Sequence, residues 1–391
     1  MSVKILVVNP GSYTTYDFMI ALSKLFGEGS AEELGYFFDE EDTRINDRFE
    51  KLFTDQIKSK KYDLVYSTNF YPIIARLCHE ANMKYIAWSY DSPIEAPCDE
   101  MNYETNHIFL FDRMDVLKYR SYGYDNFYHL PLAVNTDRYD IFESSDKYGG
   151  EISFMARLYR SNHLSLIKEG LSNELVEYID KLISVQKSTI GKFVVDDLIS
   201  QPIIDEMNRQ YLESGRKFQI IKEQLSITIA EYVTYLDRIV LLEMLSKRFD
   251  THFYTWNINE DEQKLLKNVK IHDQLNYYKE MPIMFKSSKI NLSGNFRSCK
   301  SAIPLRSLDI LGCGGFLLSP SQPELLEHFK EAKEVVTYTS EDEAVDKAGY
   351  YLAHEEERLK IARAGYEKVK RDFRYEDKIL EMFKISGIET C

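Results

Sequence analysis

A chain of 391 residues is long enough for two substantial domains, each burying its own core. It carries 63 acidic and 49 basic residues, a net charge of -14, so the broad cationic surface that nucleic-acid binding requires is missing, although two or three arginines in one place can still hold a small phosphorylated ligand. The five cysteines (Cys78, Cys98, Cys299, Cys313, Cys391) never fall in a C-x-x-C pair, which speaks against a disulfide framework or structural zinc and fits a reducing, cytoplasmic compartment.

The opening MSVKILVVNPGS is too short for a signal h-region or a membrane span, and no run approaches 18 apolar residues. A soluble protein with no integral membrane segment is expected. The eight histidines are scattered, and H-x-H, H-E-x-x-H and D-x-D are absent, so the sequence offers no basis for a metal site.

In chain order, residues 4–9 (KILVVN) predict a buried strand, 10–15 a loop and 16–27 an amphipathic helix, a Rossmann-like opening. The pattern repeats with a strand at 63–67, a helix started by Pro72, strands at 84–90 and 107–111, a further helix, and a strand at 126–134. Polar, turn-forming residues at 140–150 suggest a boundary, with a first domain over 1–145 and a second over 146–372 that restarts at ISFMARLY. From 165 to 230 the chain is helical and charged, predicting an insertion in the second domain. It serves either as a solvated hairpin or as an arm for acceptor recognition or dimerisation, the latter making a homodimer. Alternation then resumes: helix 229–248, strands 251–256 and 269–273, helix 279–287, strand 289–294, helix 304–312 and strand 314–319. Helices follow at 323–331, 341–352, 354–370 and 374–384, with 373–391 as a final segment that can pack back on the first domain.

The chemistry concentrates in 289–319, KINLSGNFRSCKSAIPLRSLDILGCGGFLLS. Here the strand carrying Asn291 leads into a basic loop with Arg297 and Lys300, then to a helix whose start presents free N–H groups at Ser301 to Pro304, Ile303 included. With Arg306 these could cradle a diphosphate. Asp309, one turn beyond Arg306, could read ribose hydroxyls, or the two could simply form an i,i+3 ion pair.

This run and ELLEHF resemble the S-G-I-P-L-R-x-x-D-x-x-x-x-G-G-F-L-L and E-L-x-x-x-F stretches of the CgeB-like (spore maturation) bacterial glycosyltransferases. The likeness extends over 269–384 and, more loosely, over ISFMARLYRSNH. It implies a GT-B fold, two Rossmann-like doubly wound parallel-sheet domains facing a cleft. The donor, a UDP-sugar, would lie in the C-terminal domain and a protein or glycan acceptor in the N-terminal one. The sequence departs from the pattern in three places. Ala302 stands where the family has Gly. In the E-x7-E pattern of retaining GT-B enzymes, Asp309 takes the second position but Ser301 the first. Arg157 resembles the Arg of a V-G-R-L phosphate motif, but Asn162 occupies the expected Lys position, leaving Arg160 as a substitute.

Tyr254 and Tyr277, with Tyr278, stand at strand ends where a nucleobase would stack, although with 28 tyrosines in the chain core or surface packing is the leading alternative. In the first half Asn9-Pro10-Gly11-Ser12 follows a strand, and Asp91, in W-S-Y-D-S-P after another, is the best general-base candidate unless it only caps a turn. Glu95 and His129 are weaker alternatives. The reading is a metal-independent glycosyltransferase with Asp91 and Arg306 as catalytic residues. A nucleotide-sugar 2-epimerase and a non-catalytic sugar-nucleotide-binding protein share the same architecture.

Overall fold

The structure is a computed structural model that describes residues 3–38, 44–94 and 97–389. It divides into two compact units, one formed by residues up to Arg138 together with those from Val369 onward, the other by Tyr139–Lys368.

The first unit contains β1 (Ile5–Asn9), α1 (Thr15–Phe26), β2 (Ala31–Gly35), α2 (Asp47–Ser59), β3 (Leu64–Thr68), α3 (Pro72–Glu80), β4 (Lys84–Ser89), β5 (Asn106–Leu110), α4 (Arg113–Ser121), β6 (Phe127–His129) and the start of α5 (Thr136–Asp140). All six strands are parallel, in the order β2-β1-β3-β4-β5-β6. Strands β1 and β3 are buried along nearly their whole length, as expected of a sheet covered on both faces. The predicted strand at 126–134 is confined to Phe127–His129, after which Val134 makes only a single bridge to Arg374.

The second unit runs through β7 (Ile152–Met155), α6 (His163–Lys168), α7 (Asn173–Lys187), α8 (Val195–Leu198), α9 (Gln201–Glu213), α10 (Lys222–Ser246), β8 (Thr251–Thr255), α11 (Glu260–Leu265), β9 (Lys270–Asp273), α12 (Met281–Ser287), β10 (Ile290–Leu292), α13 (Leu305–Gly312), β11 (Leu317–Pro320), α14 (Pro323–His328), β12 (Val336–Tyr338), α15 (Glu341–Ala353) and most of α16 (Glu355–Asp372). Its six parallel strands lie in the order β12-β11-β10-β7-β8-β9. The last helix, α17 (Tyr375–Ile385), belongs to the first unit, where it packs on α1 and stacks Phe383 on Phe26 at 5.5 Å.

The insertion is not a solvated hairpin. Leu175, Ile179, Met207, Tyr211, Leu225 and Ile229 lie in one apolar cluster that α6 to α9 build with the first half of α10, giving the insertion its own small core. For the same reason α10 begins at Lys222 rather than at 229: its first two turns face that cluster.

Candidate functional site

In an open parallel sheet a ligand crevice forms beyond the carboxyl ends of the strands where the winding direction reverses. The second unit reverses between β7 and β10, because β7, β8 and β9 run to one side and β10, β11 and β12 to the other. A cavity of about 40 Å³ lies at that point, lined by Phe154, Arg238, Gly294, Asn295, Arg297, Gln322 and neighbours. Arg238, only 7% exposed, donates to the carbonyls of Arg157 and Gly294, tying together the loops that leave the two strands. The approach is tight: a Cβ on Gly294 would stand 2.9 Å from the Phe154 ring.

Four polar atoms at this cavity have no hydrogen-bond partner: Arg238 Nε, both amide atoms of Asn295, and Gln322 Oε1. Buried polar groups are almost always paired, so a set of unspent ones around a single cavity calls for ordered water or a ligand there. Two donors and two acceptors suit hydroxyl groups, which do both. Burial holds the Arg238 guanidinium below its ordinary value, with the Tyr159 side chain countering and Arg306 adding to the effect. None of these three residues follows from the motif reading. The visible signal is Arg238 itself, an arginine set in a helical stretch whose apolar neighbours Ile239, Leu241 and Leu242 are buried.

The residues predicted from sequence divide sharply. Arg157 is exposed, lies 5.3 Å over the Tyr159 ring, and makes no ion pair among the described residues, which leaves its charge open to a phosphate. Arg160, by contrast, is held by Glu262 at 2.9 Å. Arg297 is paired with Asp237 and donates to the Thr189 carbonyl at 2.8 Å, and Lys300 is paired with Asp196 at 2.9 Å. These two cations pin the insertion to the loop after β10, so their charges are already paired within the protein. Asn291 is enclosed in mid-strand, donating to the Phe285 carbonyl, with Gly315 so close that a Cβ there would stand 2.7 Å from its amide nitrogen. It braces β10 against α12. Ser301 gives its hydroxyl to buried Glu324 at 2.7 Å, and the Ile303 side chain is part of the core. Tyr254 does not reach toward a base at the carboxyl end: its hydroxyl accepts from Gly149 N–H, just before β7, and its ring stacks on His272 at 4.7 Å.

Arg306 and Asp309 do share a face of α13, 3.2 Å apart. The Arg306 guanidinium also meets Met281 Sδ at 2.8 Å and lies 5.7 Å over the Phe285 ring. Asp309 is 0% exposed, and its Oδ1 accepts from Tyr139 at 2.6 Å and from Tyr277 at 3.1 Å. Both oxygens are engaged and the carboxylate is fully enclosed, so in this conformation its donors are protein groups and not the ribose hydroxyls expected of it. It orients Arg306 and Tyr277 instead.

The first unit reverses between β1 and β3. Beyond β1 the Asn9 side-chain oxygen accepts from the Gly11 and Ser12 amides at 3.0 and 2.8 Å, closing the loop, with Gly11 at φ 101, a conformation that favours glycine. Beyond β3, Asn69 donates to Asp91 Oδ2 at 2.6 Å and accepts from Tyr90 N–H at 2.8 Å, fixing the Asp91 side chain after β4. Although Asp91 reaches solvent, desolvation by its surroundings pushes its carboxyl above the usual value, and the Asn69 bond pulls it partway back. A raised carboxyl suits a general base. His129 ends β6 and Glu95 lies outside the described residues.

Residues 238–384 match the family described as Glycosyl transferase-like. No curated protein matches the chain. Among solved structures, sucrose-phosphate synthase from Thermosynechococcus elongatus is similar at a TM-score of 0.58 and 8% identity, with 98% of each chain covered. HepE of Anabaena in complex with UDP-glucose aligns at 0.57 and 9% identity over 98% of this chain and 99% of that one. A UDP-forming α,α-trehalose-phosphate synthase from Burkholderia xenovorans aligns at 0.57 and 10% identity over 100% of both. The fold is GT-B, the two-domain α/β fold of glycosyltransferases. The family match over 238–384 and the fold agree on a glycosyltransferase-like architecture.

Proposed function

We propose that the chain is a cytoplasmic, metal-independent glycosyltransferase of CgeB-like kind, moving a sugar from a UDP-sugar donor to a hydroxyl of a protein or glycan acceptor. The observation that carries this reading is the set of unspent polar atoms on Arg238, Asn295 and Gln322 at the reversal point of the second sheet. A donor group bearing hydroxyls satisfies them, while Arg157 and Arg306 supply positive charge for the diphosphate.

Transfer then needs a proton acceptor and a stabilised leaving group. The acceptor hydroxyl gives its proton to Asp91, its oxygen bonds the anomeric carbon, and the bond from that carbon to the diphosphate breaks. The nucleotide diphosphate leaves with added negative charge. Cations already in position lower that barrier, because no reorganisation is needed when the charge develops. No step requires a metal ion.

A thermal-shift screen tests this directly, since a ligand bound to the folded state raises its apparent stability. UDP and UDP-sugars should raise the melting temperature. A response to no nucleoside diphosphate would contradict the reading.

A further inference from the structure

A second cavity, of about 120 Å³, lies in the second unit and is lined by Tyr159, Arg160, Ser161, Leu164, Thr228, Tyr232 and Tyr235. Its floor is a stripe of α10. Thr228, Tyr232 and Tyr235 fall at i, i+4 and i+7, so they share one helical face. The opposite wall is the loop after β7, where Tyr159 adopts φ 62, a conformation costly for a bulky residue and characteristic of functional positions. The Tyr159 ring is already occupied, stacked on Phe296 at 4.6 Å and flanked by the guanidinium of Arg238 at 5.0 Å.

The other two rings are not. Among the described residues neither Tyr232 nor Tyr235 stacks on another ring, and none of the three tyrosine hydroxyls has a hydrogen-bond partner. Burial raises the Tyr235 hydroxyl above its ordinary value, so it stays protonated and able to donate. Arg160, the one cation that lines the cavity among the described residues, is held by buried Glu262 at 2.9 Å.

We infer that this cavity binds a single neutral pyranose ring. A sugar ring presents a C–H face to an open aromatic ring and hydroxyls that both donate and accept, which match tyrosine hydroxyls that no protein group engages. The cavity is mostly aromatic with a few convergent polar groups, the usual make-up of a small-molecule site. The ring is that of a glycan and not of the donor, and competition with UDP separates the two. As a binding site it does not depend on the transferase reading.

The test is ligand-observed saturation-transfer NMR on the full chain with methyl glucoside, methyl galactoside and methyl N-acetylglucosaminide. At least one should receive saturation on its ring C–H protons, and the signal should persist with UDP at saturating concentration. Tyr232→Ala, at an exposed position, should keep the fold and weaken binding by about tenfold, the effect of deleting one aromatic partner. Tyr235→Phe should weaken it as well by removing a hydroxyl. No saturation of any glycoside, unchanged binding by Tyr232→Ala, or displacement by UDP would each overturn the inference, the last by assigning the ring to the donor.

Discussion

The Tyr139 hydroxyl donates a 2.6 Å hydrogen bond to Oδ1 of Asp309, the carboxylate that also holds Arg306. Tyr139 is the first residue of the second unit, fully buried, so helix α13 is anchored on the segment where the chain enters that unit. Removing this donor leaves a buried charge short of a partner. Tyr139→Phe is therefore expected to destabilise the protein by about 1.5 to 3 kcal/mol, the usual worth of a hydrogen bond to a charged group, read from its urea midpoint. An unchanged midpoint would mean the bond contributes nothing.

The same enclosure changes what Asp309→Ala should do. It strands the Arg306 guanidinium and two tyrosine hydroxyls, so both stability and transfer should fall. A fully stable variant with only a raised KM would instead make Asp309 an open ribose reader.

Arg306→Ala should lower transfer by about 10² to 10³, as for deletion of one preorganised charge stabiliser, with kcat falling more than KM rises. A change in KM alone would assign Arg306 to ground-state binding.

The pH profile reports on Asp91. Its carboxyl is raised by desolvation, so kcat/KM should fall on the acid side at a pH above the ordinary value of an aspartate carboxyl, as Asp91 takes up its proton. Asn69 donates to the charged form and lowers the pKa. Asn69→Ala should therefore move the acid limb to still higher pH. A limb that stays in place, or moves down, would remove Asp91 as the base.

Much of the fold is written locally. The apolar runs of β1, β3 and β7 and the helix start at Pro72 follow from short-range pattern and turn chemistry. The edge strands β2 (AEELG) and β12 (VTY) do not, since one is largely polar and the other has three residues. The site shows the same division. Arg306 and Asp309 meet because they are three residues apart on a helix, which spacing alone foretells. What cancels the charge of Arg297 is Asp237, 60 residues away, and what fills Asp309 is Tyr139, 170 residues away. No local pattern announces such pairs, so residues that look available in the sequence are already spent in the fold. Asn295 is the reverse case: it resembles any loop residue, and only its unpartnered burial marks it.

Metal independence is checked by chelation. Transfer should survive excess EDTA, because Arg157 and Arg306 supply the charge that a divalent ion would otherwise bring to the diphosphate. Loss of activity restored by manganese or magnesium would contradict this.

The most direct measurement is calorimetric titration of UDP-glucose into the wild-type chain and into Asn295→Ala. If the reversal point between β7 and β10 holds the donor, removing an amide whose two polar atoms await a ligand should weaken binding by about tenfold or more, while the far-ultraviolet circular dichroism stays unchanged. Equal affinity of the two proteins, both folded, would mean that the donor is held elsewhere.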